Sequence, residues 1–181
     1  MSSQGFAFIA AAFASLCLTS AASAEVVSRT ADGFVLHQEI TLETTPDDAL
    51  VALGEVGRWW NGSHTYSGSG ANLSLSLEAG GCLCEALADG ATFEHGRVTA
   101  VDASKGVDLD APLGPLKGKA TQARLSFGWI PANRGLTLVM TYVVEGPGLG
   151  AFAGPVDGVM SDQFARYAHY VEYGEPAEAK P

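Results

Sequence analysis

Between Leu73 and Glu145 the chain alternates apolar and polar side chains segment after segment, and only beyond Pro155 does the period lengthen to that of a helix. "LSLSLEA", "CLCEALA", "TFEHGRVTAVD", "GVDLDAP", "KATQARLSFGWIP" and "GLTLVMTYVVEG" each read as a strand bounded by turn residues. Strands that follow one another through short turns pair antiparallel, and each must bury one face. The covering element is the segment from about Pro155 to Tyr173. There Val156, Val159, Met160, Gln163, Phe164, Tyr167, Tyr170 and Val171 recur at helical spacing.

Upstream, "FVLHQEITLE" places Phe34, Leu36, Ile40 and Leu42 on one strand face. "TTPDDALVALGEVGRWW" predicts short helical structure with Thr45 as N-cap, Pro46 at the first position, and Asp47 and Asp48 at the positive end of the dipole. Gly54 and Gly57 limit its length. The expected fold is α+β: a strongly curved antiparallel sheet of six to seven strands around one long C-terminal helix, with two short helices after the first strand. One helix cannot fill the concave side of such a sheet, so a cavity is expected between them.

The first 24 residues read as a secretory signal. "GFAFIAAAFASLCL" is short, apolar and uncharged, and "ASA" before Glu25 is a small-residue cleavage site. Cleavage after Ala24 leaves 157 residues, enough for a single domain over 25–173 and a disordered polar tail at 174–181. The expected location is periplasmic or secreted, with no integral membrane segment in the mature chain. Twenty acidic residues against ten basic ones give a net charge of −10, which disfavours nucleic acid and anionic membranes as partners.

Two cysteines one residue apart, in "GGCLCEALADGATFEH", raise a question of chemistry. A two-residue Asp89-Gly90 turn would set Cys84 opposite His95 and Cys82 opposite Arg97. Cys82, Cys84, His95 and Arg97 would then share one sheet face, and Leu83, Glu85, Leu87, Glu94 and Val98 the other. Burying two carboxylates costs more than burying one arginine and one histidine, so the cysteine face is expected to point inward. Three states of the cysteines fit: small buried hydrophobes, a disulfide that needs the strand to buckle near Gly80-Gly81, or a metal site completed by His95 with His37 or Glu39. The first is the expectation, with no resident metal. No nucleotide, metalloprotease or hydrolase fingerprint occurs, and no cofactor is expected.

"WW" closing the first helical segment, "GGCLCE" opening a hairpin, and "LVMTYVVEG" before the last helix together resemble the START-like, helix-grip superfamily. That group includes polyketide cyclases, lipid-transfer domains and plant ligand binders. The stretch "E-x-GG-x-x-x-E" from Glu78 to Glu85 is similar to the branch of Hsp90-ATPase-activator homologues. "GGCLCE…HGRV…PLGPL" is similar to an exported subgroup of that branch. The resemblance spans residues 34–173 and implies a helix-grip fold that holds a small apolar or amphipathic molecule. An exported chain does not meet a cytosolic Hsp90-type partner.

The ligand-contacting candidates are Trp59, Trp60, Tyr66, Cys84, Phe93, His95, Arg97, Phe164 and Tyr167. For acid–base chemistry of the cyclase or hydratase kind they are His95 as general base, with Glu85, Arg97 or Tyr167 as orienting groups. A carrier needs only an apolar wall with a polar rim, and that is the preferred expectation.

Overall fold

The computed structural model describes residues 25–177, so the expected signal segment and the end of the expected polar tail lie outside the described residues. The chain runs β1 (Glu25–Arg29), β2 (Gly33–Leu42), α1 (Pro46–Gly54), α2 (Val56–Trp59), β3 (Leu73–Leu75), β4 (Cys82–Ala86), β5 (Thr92–Asp102), β6 (Gly106–Asp110), β7 (Gln122–Pro131), β8 (Leu136–Glu145) and α3 (Ala153–Tyr173). Single 3-10 turns stand at Gly62–His64, Gly70–Asn72, Gly114–Leu116 and Leu149–Phe152. Among the described residues, eight strands form one antiparallel sheet in the order β1-β2-β8-β7-β6-β5-β4-β3. The α+β plan with a long C-terminal helix is therefore the one the periodicity predicts, with one strand more.

That extra strand is β1. "EVVSR" is too short and too polar to show an alternation, yet its backbone pairs with the free side of β2 through a bulge between Val26 and Ser28. In the interior of the sheet, β8 pairs along its whole length with β2 on one side and β7 on the other. Its inward residues Leu138, Met140, Tyr142 and Val144 are fully buried. The Tyr142 hydroxyl donates to the Ala111 carbonyl at 2.6 Å and accepts from the Leu113 N–H at 3.2 Å, and burial raises its pKa above the usual phenol range.

Thr45 caps α1 as expected, its hydroxyl oxygen accepting the Asp48 N–H at 3.2 Å. The helical run breaks at Glu55 into α1 and α2, so Trp59 ends a separate short turn. Helix α3 lies across the concave face and stops at Gly174, whose positive φ of 69° lets its N–H cap the Tyr170 carbonyl. Among the described residues no helix is long and apolar enough to cross a membrane.

Where β5 crosses the end of β6, the strands approach so closely that a side chain at Gly96 has no room. A Cβ there would sit 2.7 Å from the Ala111 Cβ and 2.8 Å from both the Ala111 Cα and the Asp110 carbonyl oxygen. Gly96→Ala is expected to destabilise by about 1–3 kcal/mol in urea unfolding, because backbone must move to admit the methyl. An unchanged midpoint would show that this crossing is loose.

Candidate functional site

The hairpin of β4 and β5 departs from the expected register, and the departure builds the site. Its turn has three residues rather than two: Leu87 N–H bonds to the Ala91 carbonyl across Ala88, Asp89 and Gly90, with Gly90 at φ 83°. Cys84 therefore faces Glu94, and Glu85 faces Phe93. A bulge then inserts one extra β5 residue, His95, before Leu83 meets Gly96 and Cys82 meets Arg97. Glu85 and His95 end up together on the inner face with Leu83 and Phe93, and Glu94 joins Arg97 outside.

The expectation that the cysteine face points inward is thus corrected. It assumed that turning Glu85 inward would bury two unpaired carboxylates. The bulge instead sends Glu94 outward to an ion pair with Arg97 and supplies Glu85 with an imidazole. Cys84 and Arg97 stand on the outer face, away from the cavity, and Arg97 is 55% exposed.

The expectation of two free thiols is corrected as well. Cys82 and Cys84 are joined in a disulfide with their Cα atoms 5.3 Å apart. Two residues of flat strand span about 6.5 Å, near the upper end of the disulfide range, so β4 is pinched at Leu83 rather than at Gly80-Gly81. Bonded to each other, the sulfurs cannot ligate a metal with His95. Among the described residues no cluster of His, Cys, Asp or Glu has metal-site geometry.

Glu85 has no exposed surface and His95 is 6% exposed. The Glu85 carboxylate accepts from His95 Nε2 at 2.7 Å, from the Tyr66 N–H at 3.1 Å and from the Ser67 N–H at 2.5 Å. Burial alone would raise its pKa, but the hydrogen bonds from Ser67, His95 and Tyr66 outweigh burial and lower it to about 2. An ionised carboxylate only accepts, so Nε2 carries the proton and Nδ1 is left as the acceptor of the neutral ring. Two aromatic rings fix the imidazole: Tyr66 stacks on it at 5.7 Å and 19°, and Phe93 meets it edge-on at 4.8 Å and 63°. Lys117 lies over the outer side of the Phe93 ring.

His95 lines a cavity of about 300 Å³ between α3 and the sheet. Its apolar wall comes from Leu73, Leu83, the segment Leu113–Leu116, and Val156, Val159 and Met160 of α3. Trp60, His64, Thr65 and Tyr66 border it from the loop after α2. The indole N–H of Trp60 is buried without a hydrogen-bond partner. The loop is fastened on both sides: the Asn61 N–H donates to Gln163 Oε1 at 2.8 Å, and Glu85 holds Tyr66 and Ser67.

Of the residues the sequence singles out, Trp60, Tyr66 and His95 lie at the cavity, with Glu85 and Phe93 directly behind His95. Trp59, Phe164 and Tyr167 belong to the packed core instead. Trp59 meets Tyr167 at 5.2 Å and Phe127 at 6.5 Å, and its indole N–H donates to the Ala52 carbonyl at 2.8 Å. The apolar stripe of α3 is divided: its first two turns face the cavity, and its later turns pack solidly against α1, α2 and β7. Sequence reasoning missed the Leu113–Leu116 wall, which reads as a turn, and Leu83, which it assigned to the wrong face.

No family model matches the chain, and no curated relative does. Solved structures do. A protein from Rhizobium leguminosarum superposes with a TM-score of 0.57 at 16% identity, covering 80% of this chain and 98% of its own. DynU16, from the dynemicin biosynthetic locus, gives 0.56 at 16% identity, and the di-domain ARO/CYC StfQ of the steffimycin biosynthetic pathway gives 0.53 at 12%. Each of those two matches covers 80% of this chain and 49% or 51% of the other, respectively. At such identities the likeness is one of architecture, a curved antiparallel sheet with a long C-terminal helix, which is the helix-grip plan.

Proposed function

We propose that this is an exported binding protein, periplasmic or secreted, that holds a small apolar or amphipathic molecule such as a lipid, a polyketide or an aromatic compound between α3 and the sheet. The observation that carries the reading is the cavity itself: about 300 Å³, with aliphatic walls and its polar groups gathered at one end. A protein that only needed stability would fill that space, since a void forfeits packing energy. The acidic net charge and the "ASA" site support a soluble exported carrier. The stretch Glu78–Glu85 supports a place beside the exported relatives of the Hsp90-activator homologues, without their cytosolic partner.

Val159→Trp tests the reading. Val159 lines the cavity from α3 and is half-buried, so an indole there occupies the space a ligand needs. Binding of the neutral fluorophore N-phenyl-1-naphthylamine is expected to weaken roughly tenfold or more while the thermal midpoint moves by only a few degrees. Unaltered binding would place the fluorophore elsewhere and remove the support for this cavity. Mass spectrometry of compounds extracted from the purified protein then identifies the natural occupant.

One observation favours a second reading, an enzyme of the cyclase or hydratase kind. Glu85 orients His95 and leaves Nδ1 free to take a proton, which is the arrangement of a general base backed by a carboxylate. Under this reading His95→Ala abolishes turnover and leaves affinity for the apolar body of the ligand largely intact; under the carrier reading there is no turnover to lose.

A further inference from the structure

The His95 ring is committed on three sides. Nε2 donates to Glu85 at 2.7 Å, the Tyr66 ring covers one face, and Phe93 meets it edge-on. Nδ1 has no partner among the described residues, yet protein does not seal it as it seals the unpartnered Trp60 N–H. The ring is 6% exposed and lines the cavity, so this nitrogen is an acceptor offered to the occupant. The other polar groups at that end are placed differently. The Thr65 hydroxyl donates to the Gly62 carbonyl at 2.7 Å, and His64 and Tyr66 are exposed. Among the described residues no Lys, Arg, Asp or Glu side chain lines the cavity. Arg97 pairs with Glu94 on the outer face, and Lys117 and Lys119 lie over the rings of Phe93 and Phe152 and are exposed to solvent. Behind the imidazole stands the ionised Glu85.

These surroundings sort ligands by charge and by number of donors. A purely apolar molecule leaves Nδ1 dry and unpaired, and the hydrogen bond that water gives it is lost. A carboxylate sets its own lone pairs and a second negative charge against an acceptor backed by Glu85, with no cation in the wall to offset it. An ammonium brings three N–H donors, of which Nδ1 satisfies one and the aliphatic wall none. A hydroxyl is neutral and carries a single donor. We infer that the cavity selects a neutral hydroxyl compound, a phenol, enol or alcohol on a compact apolar body, whose O–H donates to His95 Nδ1. The inference deepens the binding reading above and rests on it. It sets aside fatty acids and other carboxylates, which an apolar wall alone would admit. Glu85 reinforces the choice, because a carboxylate accepting the Nε2 proton makes Nδ1 a stronger acceptor.

The test displaces N-phenyl-1-naphthylamine from the protein at about pH 8, above the ordinary imidazole range. Four naphthalenes of similar shape compete for the cavity: 1-naphthol, 1-methylnaphthalene, 1-naphthoate and 1-naphthylmethylammonium. Both ions are expected to bind at least roughly a hundredfold more weakly than 1-naphthol. In His95→Phe, which keeps a ring and removes the acceptor, the affinity ratio of 1-naphthol to 1-methylnaphthalene is expected to fall roughly tenfold, the scale of one hydrogen bond. In the wild type, the Nδ1 nitrogen resonance should move on addition of 1-naphthol and stay in place with 1-methylnaphthalene. An Nδ1 resonance that ignores 1-naphthol while the fluorophore is displaced overturns the inference. Either ion binding at parity with 1-naphthol does so too, as does an unchanged ratio in folded His95→Phe. If that variant does not fold, the wild-type resonance and the two ions decide. If the fluorophore does not bind, or none of the four displaces it, the binding reading falls and this inference falls with it.

Discussion

Replacing Glu85 with alanine is expected to cost about 3–5 kcal/mol of stability, because three hydrogen bonds to a charged carboxylate, each of about 1.5–3 kcal/mol, are lost at once. The side chain is fully buried and accepts three hydrogen bonds. Alanine strands the buried His95 Nε2 and the part-buried amides of Tyr66 and Ser67 without their acceptor. Urea unfolding of Glu85→Ala and Glu85→Gln measures the effect, with the glutamine variant intermediate because its carbonyl still serves the two amides. The same carboxylate predicts an acid limb. Its pKa is lowered from 4.5 to about 2 in the folded state, because the hydrogen bonds outweigh burial. The stability it contributes is therefore complete above about pH 4.5 and lost as pH falls towards 2. The stability gap between the wild type and Glu85→Gln should close over that window. A loss below about 1 kcal/mol in Glu85→Ala, or a gap that does not change with pH, would contradict the buried pair.

Tyr167→Ala is expected to cost a similar 3–5 kcal/mol, for a different reason. Tyr167 is fully buried among Trp59, Phe127 and Phe164, and its hydroxyl donates to the Ala49 carbonyl at 2.8 Å. It joins α3 to α1 and β7 at once, so truncation opens a void where three elements meet. Tyr167→Phe separates the parts: it keeps the ring and forfeits one hydrogen bond, about 1 kcal/mol. Because this residue is core rather than cavity wall, Tyr167→Phe should leave N-phenyl-1-naphthylamine affinity unchanged. A weakened affinity in that variant would return Tyr167 to the binding surface.

The contrast between these residues shows what the sequence made legible. Periodicity alone locates α3, seven of the eight strands and the inward stripe that includes Phe164 and Tyr167. It cannot say where along that stripe packing ends and the cavity begins, because both surfaces demand the same apolar side chains. The hairpin was readable to within one residue, and that residue mattered. Asp89-Gly90 is compatible with a two- or a three-residue turn, and the choice rests on partners distant in sequence: an amide pair at Tyr66 and Ser67 that gives Glu85 a reason to be buried. The disulfide stood as one of three readings, since i and i+2 on an ideal strand lie near the upper limit for the bond, and the local pinch at Leu83 brings the two Cα atoms to 5.3 Å.

The order of the strands bears on how this molecule behaves in a crowd. The two borders of the sheet are its least complete strands: β3, three residues long, and β1, five residues interrupted by a bulge and ending in the exposed Arg29. The long, fully paired strands β2, β8 and β7 are all interior. A bordering strand exposes a row of unused amide and carbonyl groups, on which a second molecule can continue the sheet. Short, irregular and charged borders deny it a template of useful length. Concentrated solutions are therefore protected against end-to-end sheet growth by geometry, in addition to mutual repulsion between molecules of net charge −10.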